Sequence, residues 1–379
     1  MGRLPGPTDD LRKGSSEIPM IADERFYDVS VVVPLYNVSE FMPKCVDSLL
    51  AQSLGGRLQI VLVDDGSPDG SGRLADEYAA LHSNITCVHR RNGGLGPARN
   101  SGIDASLGVY IGFVDGDDWV DSTMYEVLYK KAEETGADAV FSGMKTVTHG
   151  DVADRFPVPY GDRVFRGKKE TSWFRTTFYG ARPARVPMEP MQVSVCPAIY
   201  RASIFREQGV SFEHVRSEDI VFNLDYLCHA SIVACVADIF YNYRKDDQPS
   251  ITSTFKSRTI DEYYELFDAV ASRLKIDKGV ADARLFEESD IRFRRRVIDC
   301  SRGMLSGIYS RELEPSLSSS LAAKVLNSDY LSYATRGYPW WKLSIKQAVF
   351  FLALKTKSLP LIRTMVDLEQ RQRGARNAI

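Results

Sequence analysis

The chain has 379 residues, 44% hydrophobic and 26% charged, with a net charge of -2. These values suit a globular protein of two or three domains and give no overall basic excess that would call for a nucleic-acid partner. No apolar run reaches the about 18 residues needed to cross a bilayer, and the polar, Pro/Gly-containing start does not read as a signal peptide.

Residues 1–27 lack periodicity and are expected to form a flexible tail. From Val29 strands and helices alternate. Strands are predicted at Val29–Pro34, Leu58–Val63, Ile85–His89, Tyr110–Val114 and Ala137–Phe141. Helices are predicted between them at Glu40–Gln52, Gly70–His82, Gly96–Leu107 and Ser122–Thr135. This rhythm predicts an α/β domain with a mostly parallel sheet. The Pro- and aromatic-rich stretch 150–215 reads as long loops that contact substrate. A helix at Glu218–His229 and a strand at Ile232–Val236 follow, and from Arg258 the pattern is helical. The expected division is a tail (1–27), a catalytic domain (28–254) and a helical region (255–379). The last ends in a basic amphipathic tail (336–379).

Charge is unevenly placed. Residues 1–254 hold 26 Lys+Arg against 35 Asp+Glu, a net of -9, and residues 336–379 hold 9 against 2, a net of +7. The basic cluster Arg292–Arg296 is flanked by acids and reads as a solvated helix face. Six scattered cysteines form no CxxC pair, so a reducing cytoplasm is expected rather than a zinc ribbon or disulfide framework.

Three acidic groups carry the chemistry: Asp64-Asp65, Asp115-Gly116-Asp117-Asp118 and Glu218-Asp219. The first two follow apolar strands, and the carboxyl ends of parallel strands are where ligands bind. Several acids there suit a divalent cation with a phosphorylated substrate. Each group has a plainer reading as a turn or a helix cap. Asn92-Gly-Gly-Leu-Gly-Pro-Ala-Arg99-Asn100 opens a helix whose N–H groups favour an anion. It departs from the dinucleotide fingerprint where Arg99 replaces a small residue, which disfavours a dehydrogenase.

Taken in order, Pro34-Leu-Tyr36-Asn37, Asp64-Asp65-Gly-Ser, Asn92 to Asn100, Asp115-Gly-Asp117-Asp118-Trp119 and Ser217-Glu218-Asp219 resemble the family 2 glycosyltransferases. The resemblance covers roughly residues 29–250 and is nearest the bacterial branch that builds capsular, exopolysaccharide or cell-wall glycans. It implies a GT-A fold and inverting sugar transfer from a nucleotide donor, UDP being expected, with Mn²⁺ or Mg²⁺. By the same resemblance Pro34 and Tyr36 line the nucleoside pocket, Asp65 contacts uracil and Arg99 sits by the base or phosphates. Asp115 holds the ribose, Asp117 the metal and Asp219 acts as base, with Glu218 and Asp118 in support. Asp219, in the first turn after the candidate cap Ser217, is expected to have a lowered pKa from the helix dipole. Tyr241-Asn-Tyr243-Arg244 with Ser250-Ile-Thr252 also resembles the family, and Arg244 could close over the diphosphate. His214 is a lone histidine and is left out of the site.

Tyr338-Pro-Trp340-Trp341-Lys342 opens an aromatic, lysine-flanked stretch to Leu354 that suits an anionic membrane surface. A helix packed on the catalytic domain, or a dimer contact, is the plainer reading. Expected acceptors are glycans or polyprenyl-linked glycans. A non-catalytic nucleotide-sugar-binding subunit is the alternative, and a nucleotidyltransferase is disfavoured because Pro34-Leu-Tyr-Asn37 stands where a Gly-rich phosphate loop would.

Overall fold

A computed structural model describes residues 27–184, 193–246, 256, 258–280, 282–310 and 313–376. The expected N-terminal tail, apart from Tyr27, the segment Ser250-Ile-Thr252 and the boundary at 254/255 lie outside the described residues. The strands are β1 (Val29–Leu35), β2 (Leu58–Asp64), β3 (Ile85–His89), β4 (Tyr110–Phe113), β5 (Trp119–Val120), β6 (Ala139–Thr148), β7 (Asp151–Phe156), β8 (Val164–Arg166), β9 (Ala198–Arg201) and β10 (Ile232–Arg244). The first helices are α1 (Met42–Leu50), α2 (Ser71–Leu81), α3 (Leu95–Asp104), α4 (Met124–Thr135), α5 (Gly167–Thr176), α6 (Ala202–Gln208) and α7 (Glu218–His229). The C-terminal helices are α8 (Thr259–Val280), α9 (Ala283–Tyr309), α10 (Pro315–Leu326), α11 (Asp329–Thr335), α12 (Ile345–Lys355) and α13 (Leu359–Arg376).

The strands form one sheet in the order β3-β2-β1-β4-β9-β6-β10-β5, with β7 beside β6 and β8 beside β10. Pairing is parallel from β3 to β4. Beyond β4 only β6 and β10 run parallel, while β9, β5, β7 and β8 pair antiparallel. The α/β expectation is met, but the sheet as a whole is mixed. Every residue of β1 and β2 is buried, so both faces are covered, which is why these strands read as continuous apolar runs. Helix α3 lies close on the sheet at Gly102, where an added Cβ would fall 2.2 Å from Val32 Cγ1.

The stretch 150–215 departs from the expected loops. It holds β7, β8, α5, β9 and α6, and its aromatics are core. Phe165, Phe174 and Phe178 are buried and pack with Phe141 of β6, Phe165–Phe174 centroids lying 4.9 Å apart. A second layer, Phe113, Tyr200, Phe205, Phe212, Phe222 and Tyr226, seats α7 on β4 and β9, with Phe212 and Phe222 stacked at 4.2 Å. Composition alone could not separate an aromatic core from an aromatic binding loop.

Helices α8–α13 pack on this body. Arg175 of α5 grips Asp277 of α8 at 2.7 and 2.6 Å, and Arg273 of α8 grips Asp225 of α7 at 2.9 and 2.6 Å. The Arg292–Arg296 cluster is not a solvated face. Arg292 and Arg295 are buried. Arg292 donates to the Gly180 carbonyl at 2.9 Å, and Arg296 to the carbonyls of Tyr179 and Phe178 at 2.8 and 2.9 Å. Gly180, at φ 152°, passes so close to α9 that a Cβ would meet the Arg292 carbonyl oxygen at 2.4 Å. The tail is divided: Tyr338, Phe350, Phe351 and Leu354 are buried, while Trp341 and Ile345 are 59% and 86% exposed. Among the described residues no helix is long and apolar enough to cross a membrane.

Candidate active site

Parallel pairing brings the carboxyl ends of β1, β2 and β4 to one edge of the sheet. The loops there are tied to each other. Asn37 donates its N–H to Ser67 Oγ at 2.8 Å, and Ser39 to Asp69 Oδ2 at 2.8 Å. Burial opposes ionisation of Asp69, yet bonds from Ser67, Ser71 and two backbone N–H groups hold its carboxyl well below the usual range. These tethers present Tyr36, 47% exposed, just beyond buried Pro34. Sequence reading missed the roles of Ser67, which stands in the quoted turn, and of Asp69, two residues beyond it.

Arg99, in the first turns of α3, is the centre of the site. Its Nη1 donates to Glu218 Oε1 at 2.9 Å and Asp219 Oδ1 at 2.5 Å, and its Nη2 to Asp115 Oδ1 at 2.9 Å. The guanidinium lies 5.2 Å from the Phe212 ring centroid. Arg99 is 1% exposed, and its guanidinium is taken up by three carboxylates. A basic residue on a helix in sequence does not reveal which acids the fold will deliver to it.

Asp219 keeps 17% of its side chain exposed and accepts the Val195 N–H at its second oxygen, 3.2 Å away. The expected lowering of its pKa is corrected. Burial pushes Asp219 above the usual carboxylate range, with Arg99 pulling against it and Asp115 adding to it. Burial, and next the Asp219 charge, push Glu218 up as well. Ser217 makes no side-chain cap and sits at φ 54°, so the dipole of α7 meets Glu218 and Asp219 directly.

Asp65 is also held by internal partners. It is 3% exposed, paired with Arg90, and accepts N–H groups of Gly93 at 3.1 and 3.2 Å and Gly94 at 2.8 Å. The glycine loop's expected anion is thus an internal carboxylate, and reaching uracil would require these bonds to give way.

The Asp115–Asp118 turn is fixed from β10. Tyr241 donates its hydroxyl to Asp118 Oδ2 at 2.6 Å and accepts the Asp115 N–H at 3.2 Å, and the Arg244 N–H reaches Asp118 Oδ1 at 2.7 Å. Asp118 is therefore buried support. Gly116 is needed for space rather than for a left-handed turn: a Cβ would lie 2.9 Å from Leu35 Cδ2 and 3.0 Å from the Pro34 carbonyl oxygen. Arg244 ends β10. Its Nε donates to the Asp117 carbonyl at 2.8 Å, and its guanidinium sits over Phe41 and Trp119. Among the described residues the Asp117 carboxylate has no hydrogen-bond partner beyond its own backbone, and burial, then the Asp115 charge, raise it to about 6. A half-buried carboxylate beside a second one fits a hard divalent cation. His214 is exposed beside Gly94. Elsewhere, Asp76, Cys87 and His89 bring ligand atoms within 4.8 Å of one another, a group that sequence spacing did not suggest.

Residues 30–208 match the family described as Glycosyl transferase family 2. The glycosyltransferase EpsJ of Bacillus subtilis is 36% identical over 239 residues, 62% of this chain and 66% of that protein. The minor teichoic acid biosynthesis protein GgaB of the same organism is 39% identical over 102 residues, 26% of this chain and 11% of that protein. Both matches span less than two thirds of the relative's length. The crystal structure of S. aureus TarS 1–349 in complex with UDP-GlcNAc superposes with a TM-score of 0.62 at 16% identity, covering 91% of this chain and 92% of that one, a likeness of fold. With the ordered motifs and the edge they share, these matches show that the chain belongs to glycosyl transferase family 2.

Proposed function

We propose that the chain is an inverting, metal-assisted glycosyltransferase. It would move a sugar from a nucleotide donor, UDP being the favoured carrier, to a glycan or polyprenyl-linked glycan of a bacterial surface polysaccharide. The observation that carries this reading is the meeting of Asp115, Glu218 and Asp219 on Arg99 at the carboxyl edge of the sheet. A structural ion pair needs one acid; three around one cation leave negative charge at that edge, as proton abstraction requires. The donor and acceptor classes draw support from the UDP-GlcNAc bound by TarS and the teichoic acid role in the name of GgaB.

Asp219 is the proposed base. Arg99 and the Val195 N–H hold its two oxygens, which fixes the direction in which it accepts a proton from the attacking hydroxyl. Asp117, with Asp115 beside it, would hold Mn²⁺ or Mg²⁺. Such a cation supplies Lewis-acid stabilisation of a diphosphate leaving group. Pro34 and Tyr36 border the nucleoside side. Asp65 and Arg99 act by shaping the glycine loop and the acidic cluster, and Arg244 stands against the Asp117 turn within reach of a diphosphate. The catalytic domain is placed at 28–254, consistent with a sheet that continues past residue 208 to Arg244, and the helical region at 255–379. A cytoplasmic setting at the inner membrane face fits six unbonded cysteines and the basic tail, whose exposed Trp341 and Ile345 would meet anionic lipid.

Asp219→Asn tests the assignment. Transfer should fall by roughly 10²–10⁴-fold, the range for loss of a general base, with UDP–Mn²⁺ affinity near wild type by calorimetry. Full activity would remove Asp219 as the base; no transfer by the wild type with UDP–Mn²⁺ binding intact would favour a nucleotide-sugar-binding subunit. Asp117→Ala should weaken nucleotide binding only when metal is present; unchanged binding with metal would remove the cation from this turn.

A further inference from the structure

We infer that the outer edge of the sheet carries a second metal site, made by Asp76, Cys87 and His89 and suited to Zn²⁺. Cys87 and His89 are two apart on edge strand β3 and so project to the same face. Helix α2 packs on β3 and brings Asp76 to them. His89 Nε2 lies 2.9 Å from Asp76 Oδ1 and 3.5 Å from Cys87 Sγ. Around a tetrahedral Zn²⁺, bond lengths of about 2.0–2.3 Å put such N···O and N···S pairs about 3.4 and 3.6 Å apart. The three donors therefore need only a small outward shift to share one ion.

The outer partners are in place too. His89 Nδ1 lies 3.0 Å from Asp64 Oδ2, and Asp64 Oδ1 accepts the Ser67 N–H at 2.8 Å. A carboxylate on the far nitrogen fixes the tautomer and orients the ring, the arrangement that supports histidine ligands. A thiol, an imidazole and a carboxylate favour Zn²⁺ over the hard cations suited to Asp117. The Asp76 side chain is 59% exposed, so ion and water can enter. An ion there would join α2 to β3 and hold Asp64, the neighbour of Asp65, at the end of β2. The site does not depend on the catalytic assignment.

The test uses the full chain stripped of metal by chelator and then given Zn²⁺ or Co²⁺ alone. Calorimetry should show one equivalent of Zn²⁺, weakened at least tenfold in His89→Ala and in Asp76→Asn. Asp76, being exposed, can change with little risk to folding. The Co²⁺ form should show a thiolate charge-transfer band in the near ultraviolet that Cys87→Ser abolishes and Asp117→Ala leaves unchanged. Wild-type Zn²⁺ affinity in Asp76→Asn and His89→Ala, a band surviving in Cys87→Ser, or a band lost in Asp117→Ala would each overturn the site.

Discussion

Arg99 and Arg292 are both buried arginines on helices, and their surroundings differ in kind. Arg292 shares Glu288 with Arg182 and gives Nη1 to the Gly180 carbonyl, so positive charge matches or exceeds negative there. Arg99 meets three carboxylates from α7 and the β4–β5 turn. The first arrangement closes a backbone segment onto a helix. The second concentrates negative charge that one cation does not neutralise, a cost that folding alone does not require and a proton acceptor can use.

The sharpest way to break this contrast is Arg99→Met. Removing the cation from buried acids should cost about 3–5 kcal/mol at neutral pH, read from urea unfolding. Without Arg99, Glu218 and Asp219 would sit still further above the usual carboxylate range, so the folded state would bind more protons than the unfolded one. Stability of the variant should then recover as pH falls towards 5. A loss that does not depend on pH would mean the three acids are not held by this charge. In the wild type, Glu218 and Asp219 are already raised, so transfer should fall with acid at a pH above the ordinary carboxylate range. An acid limb at about pH 4 would remove the pair from proton transfer.

Arg292→Met is the counterpart. It leaves the Gly180 carbonyl without its donor, a loss of about 1–3 kcal/mol. Glu288 keeps Arg182, so no acid is stranded. Activity per folded molecule and the position of the acid limb should stay as in the wild type. A shifted limb would mean that the two arginines are electrically coupled and that the contrast fails.

Strands β1, β2 and β4 were legible because strands covered on both faces write themselves as unbroken apolar runs, and the edge strand β3 and helix α7 were placed to the residue. The acidic motifs were legible as types and as an order. Their partners were not. Arg99 meets Glu218 and Asp219 across 119 and 120 residues, and nothing local encodes that. The bonds of Asp65 to the glycine loop were not legible, because a carboxylate at a strand end looks the same whether it faces a base or caps that loop. Phe165 and Phe174 looked like loop aromatics because β8 and α5 are short and their neighbours, Phe141 among them, lie elsewhere in the chain. Arg292 and Arg296 looked solvated because their acceptors are backbone carbonyls, to which side-chain patterning is blind.

A third surface should give the smallest change in stability. Trp341 is 59% exposed, touches Trp340 edge-on at 6.4 Å between centroids, and neither clamps backbone nor balances charge. Replacing Trp340 and Trp341 with Ser should therefore alter unfolding by no more than about 0.5 kcal/mol, as expected of exposed side chains. If these rings lie in a lipid interface beside the basic tail, the same variant should float poorly with anionic vesicles while the wild type floats well, and added salt should weaken the wild type. A variant that floats like the wild type would leave Phe350 and Phe351, both buried, as the reason the stretch is aromatic. The tail would then be a packing device like Arg292, and unneutralised charge would remain peculiar to the Arg99 edge.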